Sequence, residues 1–119
     1  MQDQIKARTK GIGIQVIGLV EHLPNKPAGW VLSKQILRSS TAIGANYRAA
    51  CRAKSTADFI NKLKIVEEET DETIYWLEIM QEAGLITVDK LKAPISETTE
   101  ILAIIVASIK TSRERSSGE

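Results

Sequence analysis

Between Phe59 and Met80 the chain sets Phe59, Leu63, Val66, Thr70, Thr73, Leu77 and Met80 at alternating steps of four and three. Three heptads at that spacing draw one narrow stripe along an α-helix, whereas a strand would scatter the same residues over two faces. Such a stripe is buried most simply against other helices that carry one too. Three further segments supply them. Ile5, Ile12, Val16, Leu19 and Leu23 mark a first helix from about Ile5 to His22. Leu32, Ile36, Ser39, Ile43, Asn46 and Ala50 mark a second, running to about Arg52, in a seam of mostly small residues. Leu91, Ile95, Thr98, Leu102, Ile105 and Ile109 mark the last. Nowhere does the period of two required by a strand compete.

The punctuation between these segments is explicit. Pro24 to Gly29 holds two prolines and a glycine in six residues and reads as a loop. Ser55 can cap the third helix, with Asp58 in its first turn facing the positive end of the dipole. Gly84 supplies the left-handed residue that closes many helices. Thr87 opens the last segment, where Pro94 predicts either a kink or a restarted helix. Gly11, Gly13 and Gly18 weaken the first helix by about 1 kcal/mol each relative to alanine, so packing has to hold it. The polar tail 112–119 is expected to fray. Four long helices joined by short loops predict one domain over 1–119: an all-α, antiparallel, up-down-up-down four-helix bundle.

With 16 Lys and Arg against 15 Asp and Glu, the formal net charge is +1. That balance gives no bulk attraction to nucleic acid or membrane. Cys51 is the one cysteine, which excludes an internal disulfide and predicts a reduced, cytoplasmic setting. The start, Met1 to Lys6, has no apolar run of a secretion signal, and the longest apolar stretch, Ile101 to Ile109, is too short to span a bilayer.

Chemistry finds little footing. Bundles house di-iron sites, and Glu69/Glu72 and Glu97/Glu100 repeat an i, i+3 spacing. Those sites pair glutamate with histidine, however, and the single histidine, His22, lacks such a partner. The acids also flank the seam instead of lying in it. Cys51 stands among alanines with no histidine positioned to activate it, and reads as a small packed residue. The expectation is no catalytic residue, no metal and no cofactor.

Charge and apolar surface say more. If the second and third helices turn back near Ala53, facing positions sum to about 107 by equal rise per residue, so Arg38 meets Glu69. Arg48, Arg52 and Lys54 find only Asp58 opposite them; with Lys62 and Lys64 they form the one candidate nucleic-acid patch. Asn46, an amide in the seam, reads as a device that fixes helix register. Beyond the seams, Ile14 and Ile17 on the first helix and Ile101 and Ile104 on the fourth make a second apolar stripe. Two neighbouring helices apolar on two faces predict a merged patch, and with it a homo-oligomer.

The run Gly44-Ala-Asn-Tyr-Arg-Ala-Ala-Cys-Arg-Ala-Lys-Ser55 is followed by Phe59, Lys62-Leu63, Glu67 to Glu72 and Tyr75-Trp-Leu-Glu78. Together these resemble the bacterial "four helix bundle protein" family. That family is related to the proteins encoded in intervening sequences of large-subunit ribosomal RNA genes. More distantly it is similar to the accessory variability proteins of diversity-generating retroelements. The resemblance covers nearly the whole chain and is densest from Ser33 to Gly84. It implies an antiparallel four-helix bundle, a ring-shaped homopentamer and no established catalytic residue. The retroelement relatives bind nucleic acid and a reverse transcriptase through a markedly basic surface, so RNA, DNA or such an enzyme is the implied partner. The chain departs from them in its near-zero charge, and Gly44 stands where many relatives carry proline.

Overall fold

A computed structural model describes residues 1–118, with Glu119 outside the described residues. It holds four helices and no strand among those residues: α1 (Gln2–Val20), α2 (Pro27–Cys51), α3 (Thr56–Glu82) and α4 (Val88–Gly118). Each helix packs on its chain neighbours and α1 also packs on α4, while the backbones of the diagonal pairs α1/α3 and α2/α4 stay more than 8 Å apart, Cα to Cα. The result is a rod of 53 × 21 × 20 Å.

The close approach of α1 and α2 fixes their direction. A Cβ on Gly44 would come 3.1 Å from the Lys10 backbone nitrogen, and one on Gly13 would come 3.3 Å from Thr41 Cγ2. Advancing along α1 therefore means retreating along α2, which is the antiparallel arrangement. At the other seam, Gln2 shares a hollow with Ser112 and Arg115, while His22 shares one with Lys90. α4 thus runs against α1 as well.

Local chemistry sets the helix ends. Ser55 Oγ accepts from the Asp58 backbone N–H at 3.1 Å, capping α3. At the far end Gly84 takes φ +66° and the Leu85 N–H bonds back to the Met80 carbonyl at 2.9 Å, a left-handed closure that lays Leu85 on the core. Between α1 and α2, Gly29 packs so tightly under Pro24 that a Cβ would sit 1.9 Å from the Pro24 carbonyl oxygen.

α4 does not restart at Pro94. The helix runs through it, and Pro94 is itself buried. Residues 112–118 of the polar tail stay in the helix, since α4 continues to Gly118, while Glu119 lies outside the described residues.

The core is aliphatic, with Ile12, Ile36, Ile43, Leu63, Leu77 and Leu91 fully enclosed. Four buried threonines sit among them. Thr9, Thr70, Thr73 and Thr98 each donate to the carbonyl four residues back, at 2.7–2.8 Å, so their hydroxyls are satisfied within their own helices. One buried side-chain bond crosses helices. Thr73 Oγ1 lies 2.8 Å from Ser39 Oγ, joining α3 to α2. Ser40 Oγ, also buried, has no partner.

Three seam positions differ from the sequence pattern: Asn46, Ile95 and Leu102. Tyr47, 6 % exposed, occupies the place expected of Asn46. Burial, with Cys51 one turn on, pushes the Tyr47 phenol up to about 12. Asn46 is half-buried, and its Nδ2 donates to the Ala42 carbonyl of its own helix at 2.9 Å. The Asn46 side-chain bond thus stays inside one helix, whereas the Ser39–Thr73 pair joins two. On α4 the buried stripe runs Leu91, Pro94, Thr98, Ile101, Ile105 and Ile109. Ile101 belongs to the core and Leu102 to its flank.

Candidate interaction surfaces

Small residues let α1 and α2 approach until their backbones nearly touch, and the same contact opens a groove outside it. Gly13 and Gly44 form its floor, both buried. Lys10, Ile14, Ile17, Thr41, Ala45 and Arg48 make its walls around a hollow of about 240 Å³. Ile14 is 62 % exposed and Ile17 52 %. Packing in this helix pair leaves the two isoleucines no room inside, because the face they occupy turns away from the stripe of Ile5, Ile12, Val16 and Leu19.

This location corrects the expected patch. Ile14 and Ile17 line the α1/α2 groove, not the α1/α4 seam. Ile101 is fully buried and Ile104 half-buried against the core, so α4 offers no matching stripe to merge with them. The α1/α4 seam is polar instead. Arg8 Nη2 lies 2.7 Å from Glu97 Oε1 and 3.1 Å from Glu100 Oε1, and Arg8 Nε donates to Glu97 Oε2 at 3.0 Å. The Glu97 bond does most to raise the Arg8 guanidinium above its usual value, and in turn holds the Glu97 carboxyl below its own.

That depression has a sign. A carboxylate with a lowered folded pKa contributes stability present above its unfolded value, near 4.5, and lost as pH falls through the lower folded one. The melting temperature should therefore drop on acidification below about pH 4.5, and less steeply in Arg8→Gln. Parallel acid profiles for the two proteins would refute the assignment.

On the other flank Arg38 Nη1 donates to Glu69 Oε2 at 3.0 Å, and Nη2 pairs with Glu72. Trp76 Nε1 also donates to Glu72 at 3.1 Å, and it leads Arg38 in lowering the Glu72 carboxyl. The two i, i+3 glutamate pairs thus sit on separate seams, each engaged by its own arginine.

The five basic residues do not form one surface. Arg48 lines the α1/α2 groove, and Arg52 follows one turn along the same face of α2. Lys54 lines a separate hollow at the bundle end beside Gln2, Ser112 and Arg115. Lys62 Nζ donates to Asp58 Oδ1 at 2.5 Å, while Asp58 Oδ2 accepts from the Lys54 N–H at 3.1 Å. Lys64, two residues on, points about 160° away from Lys62 around α3. Among the described residues, Lys10, Arg48, Arg52 and Lys64 have no ion pair.

Lys10 and Arg115 went unread in the sequence. For Lys10 the signal was available. Gly44 faces Thr9 and Lys10, and Gly13 faces Ser40 and Thr41, so facing positions of α1 and α2 sum to 53 or 54. That sum places Lys10 beside the turn that carries Arg48. Exposed Trp30, whose Nε1 donates to Asn25 Oδ1 at 2.8 Å, and exposed Tyr75 are further apolar surface outside the expected patch.

No described helix is long and apolar enough to cross a membrane. No curated protein matches the chain. A crystal structure of a protein of unknown function from the S23 ribosomal protein family, from Bacteroides thetaiotaomicron, is similar at 40% identity and a TM-score of 0.82. The match covers 89% of this chain and 98% of that one. The family model of the 23S rRNA-intervening sequence protein matches residues 2–107. With the match covering the first three helices and reaching well into the fourth, the chain belongs to the 23S rRNA-intervening sequence protein family.

Proposed function

We propose that the chain is a non-enzymatic building block that assembles with copies of itself into a ring-like homo-oligomer, five being the number implied by the family resemblance. The observation that carries this reading is the pair Ile14 and Ile17, each more than half exposed over a groove with a glycine floor. Leaving them half in water forgoes about 1 kcal/mol per side chain, which association would recover. Ile14→Glu with Ile17→Glu should bring the protein to single-chain mass in light scattering at micromolar concentration, with far-UV helicity retained. A wild-type protein already at single-chain mass, or a variant as assembled as wild type, would count against it.

A second reading is contact with RNA or DNA, or with a nucleic-acid-processing partner such as a reverse transcriptase. It is favoured by the family's description and by Arg52, Lys54 and Arg115 near one end of the rod. Phosphate contacts release counterions, so binding should weaken steeply with salt, and Gln at all three positions should flatten that dependence. A cytoplasmic setting is part of the proposal, supported by the free thiol of Cys51, which stays reduced there.

A further inference from the structure

The groove between α1 and α2 is basic at its rim and apolar at its centre, and α3 carries its chemical counterpart. Every charged residue from Ile65 to Glu82 is acidic. Arg38 engages Glu69 and Glu72. Glu68, Asp71 and Glu78 are exposed and have no cation within ion-pair distance among the described residues. They share the outer face of α3 with Ile65, 43 % exposed, and Tyr75, 53 % exposed. Lys64 heads the same face.

The molecule therefore holds unpaired cations with isoleucines on one side, and unpaired carboxylates with a tyrosine and an isoleucine on another. α1 and α3 lie on a diagonal with their backbones more than 8 Å apart, Cα to Cα, and the groove and the outer face of α3 are both exposed, so one copy cannot bring these surfaces together. The near-zero net charge conceals this segregation.

We infer that the Lys10–Ile14–Ile17–Arg48 groove of one copy is occupied by the outer face of α3 of a second copy, through Ile65, Glu68, Asp71 and Tyr75. This inference rests on the self-assembly reading above and gives that interface its two sides. Isoleucines meet the Tyr75 ring and Ile65, while Lys10 and Arg48 meet Glu68 and Asp71 at the margin. The two sides are different surfaces, so the contact is heterologous. Each copy keeps one groove and one α3 face free for the next, and such contacts propagate until they close. Opposed charge at the margin selects orientation and suppresses groove-to-groove pairing, where Lys10 and Arg48 would face their own kind.

Two variants test it. One carries Lys10→Glu and Arg48→Glu; the other carries Glu68→Lys and Asp71→Lys. All four positions are exposed, so both variants keep the fold. Each alone should associate at least about tenfold more weakly than wild type, a loss on the scale measured for mispaired interface charges. Mixed in equal amounts they should associate with each other, because the acidic groove accepts the basic α3 and the basic groove accepts the acidic one. Strict alternation closes only even-numbered rings, so the mixture should form alternating chains or even rings instead of a closed ring of five. Association of the wild type should weaken with added salt.

An α3 variant as assembled as wild type, a mixture that stays dissociated, or association indifferent to salt would each overturn this pairing while leaving self-assembly standing. A wild type at single-chain mass would remove both.

Discussion

Gly29→Ala should lower the melting temperature by roughly 10 °C or more, the largest loss expected from adding a single methyl group to this chain. The added carbon would sit 1.9 Å from the Pro24 carbonyl oxygen, and a backbone atom has no rotamer to escape into. The connection between α1 and α2 must open or shift, at a cost of about 3 kcal/mol by the usual scale of forced overpacking. Gly18→Ala is the matched control. It has nothing within 4 Å of the new carbon and lies in a helix, so it should raise stability by about 1 kcal/mol. Urea melts of the two variants would show shifts of opposite sign. Equal shifts would mean that Gly29 does not hold the turn.

Ile101→Lys should abolish the folded state. Ile101 is fully enclosed, and its removal alone is worth about 2–5 kcal/mol. Burying an ammonium in its place adds a desolvation cost of several kcal/mol more. Against a domain stability of about 5–15 kcal/mol, the sum leaves little or nothing. Ile104→Lys, half-buried on the flank, should melt early yet still cooperatively. Loss of sharp side-chain NMR signals in the first variant and their retention in the second is the expected contrast. A well-folded Ile101→Lys protein would displace Ile101 from the core.

These two isoleucines also show how far the sequence could be read. The four helices and their turns were legible because Ser55, Gly84 and the Pro24–Gly29 loop act locally, through caps and backbone angles. The register of α4 was not. Ile101, Leu102, Ile104, Ile105 and Val106 offer two adjacent stripes of equal hydropathy, and periodicity alone cannot choose between them. In the fold the seam steps from Leu91 to Pro94 and Thr98, and from Thr98 to Ile101 instead of Leu102. On α2 the same ambiguity set Asn46 beside Tyr47, and the larger, more apolar ring took the interior. The Arg38–Glu69 pairing followed from equal rise along two antiparallel helices. The groove did not, because it depends on how near α1 comes to α2, where Gly44 meets Lys10 and Gly13 meets Thr41.

The polar seam between α1 and α4 bears on the order in which the molecule comes apart. α1 packs more sparsely on α4 than on α2, and the ion pairs between α1 and α4 among the described residues are those of one arginine with two carboxylates. α1 also carries three glycines that disfavour the helix. Its amide hydrogens should therefore exchange with deuterated water through partial openings that leave the α2–α3 pair intact, well below the free energy of global unfolding. A neighbouring subunit seated on Ile14 and Ile17 would clamp that same helix. Protection of α1 then becomes a function of protein concentration, and the glycine-bearing helix of the single chain turns into a gauge of its company.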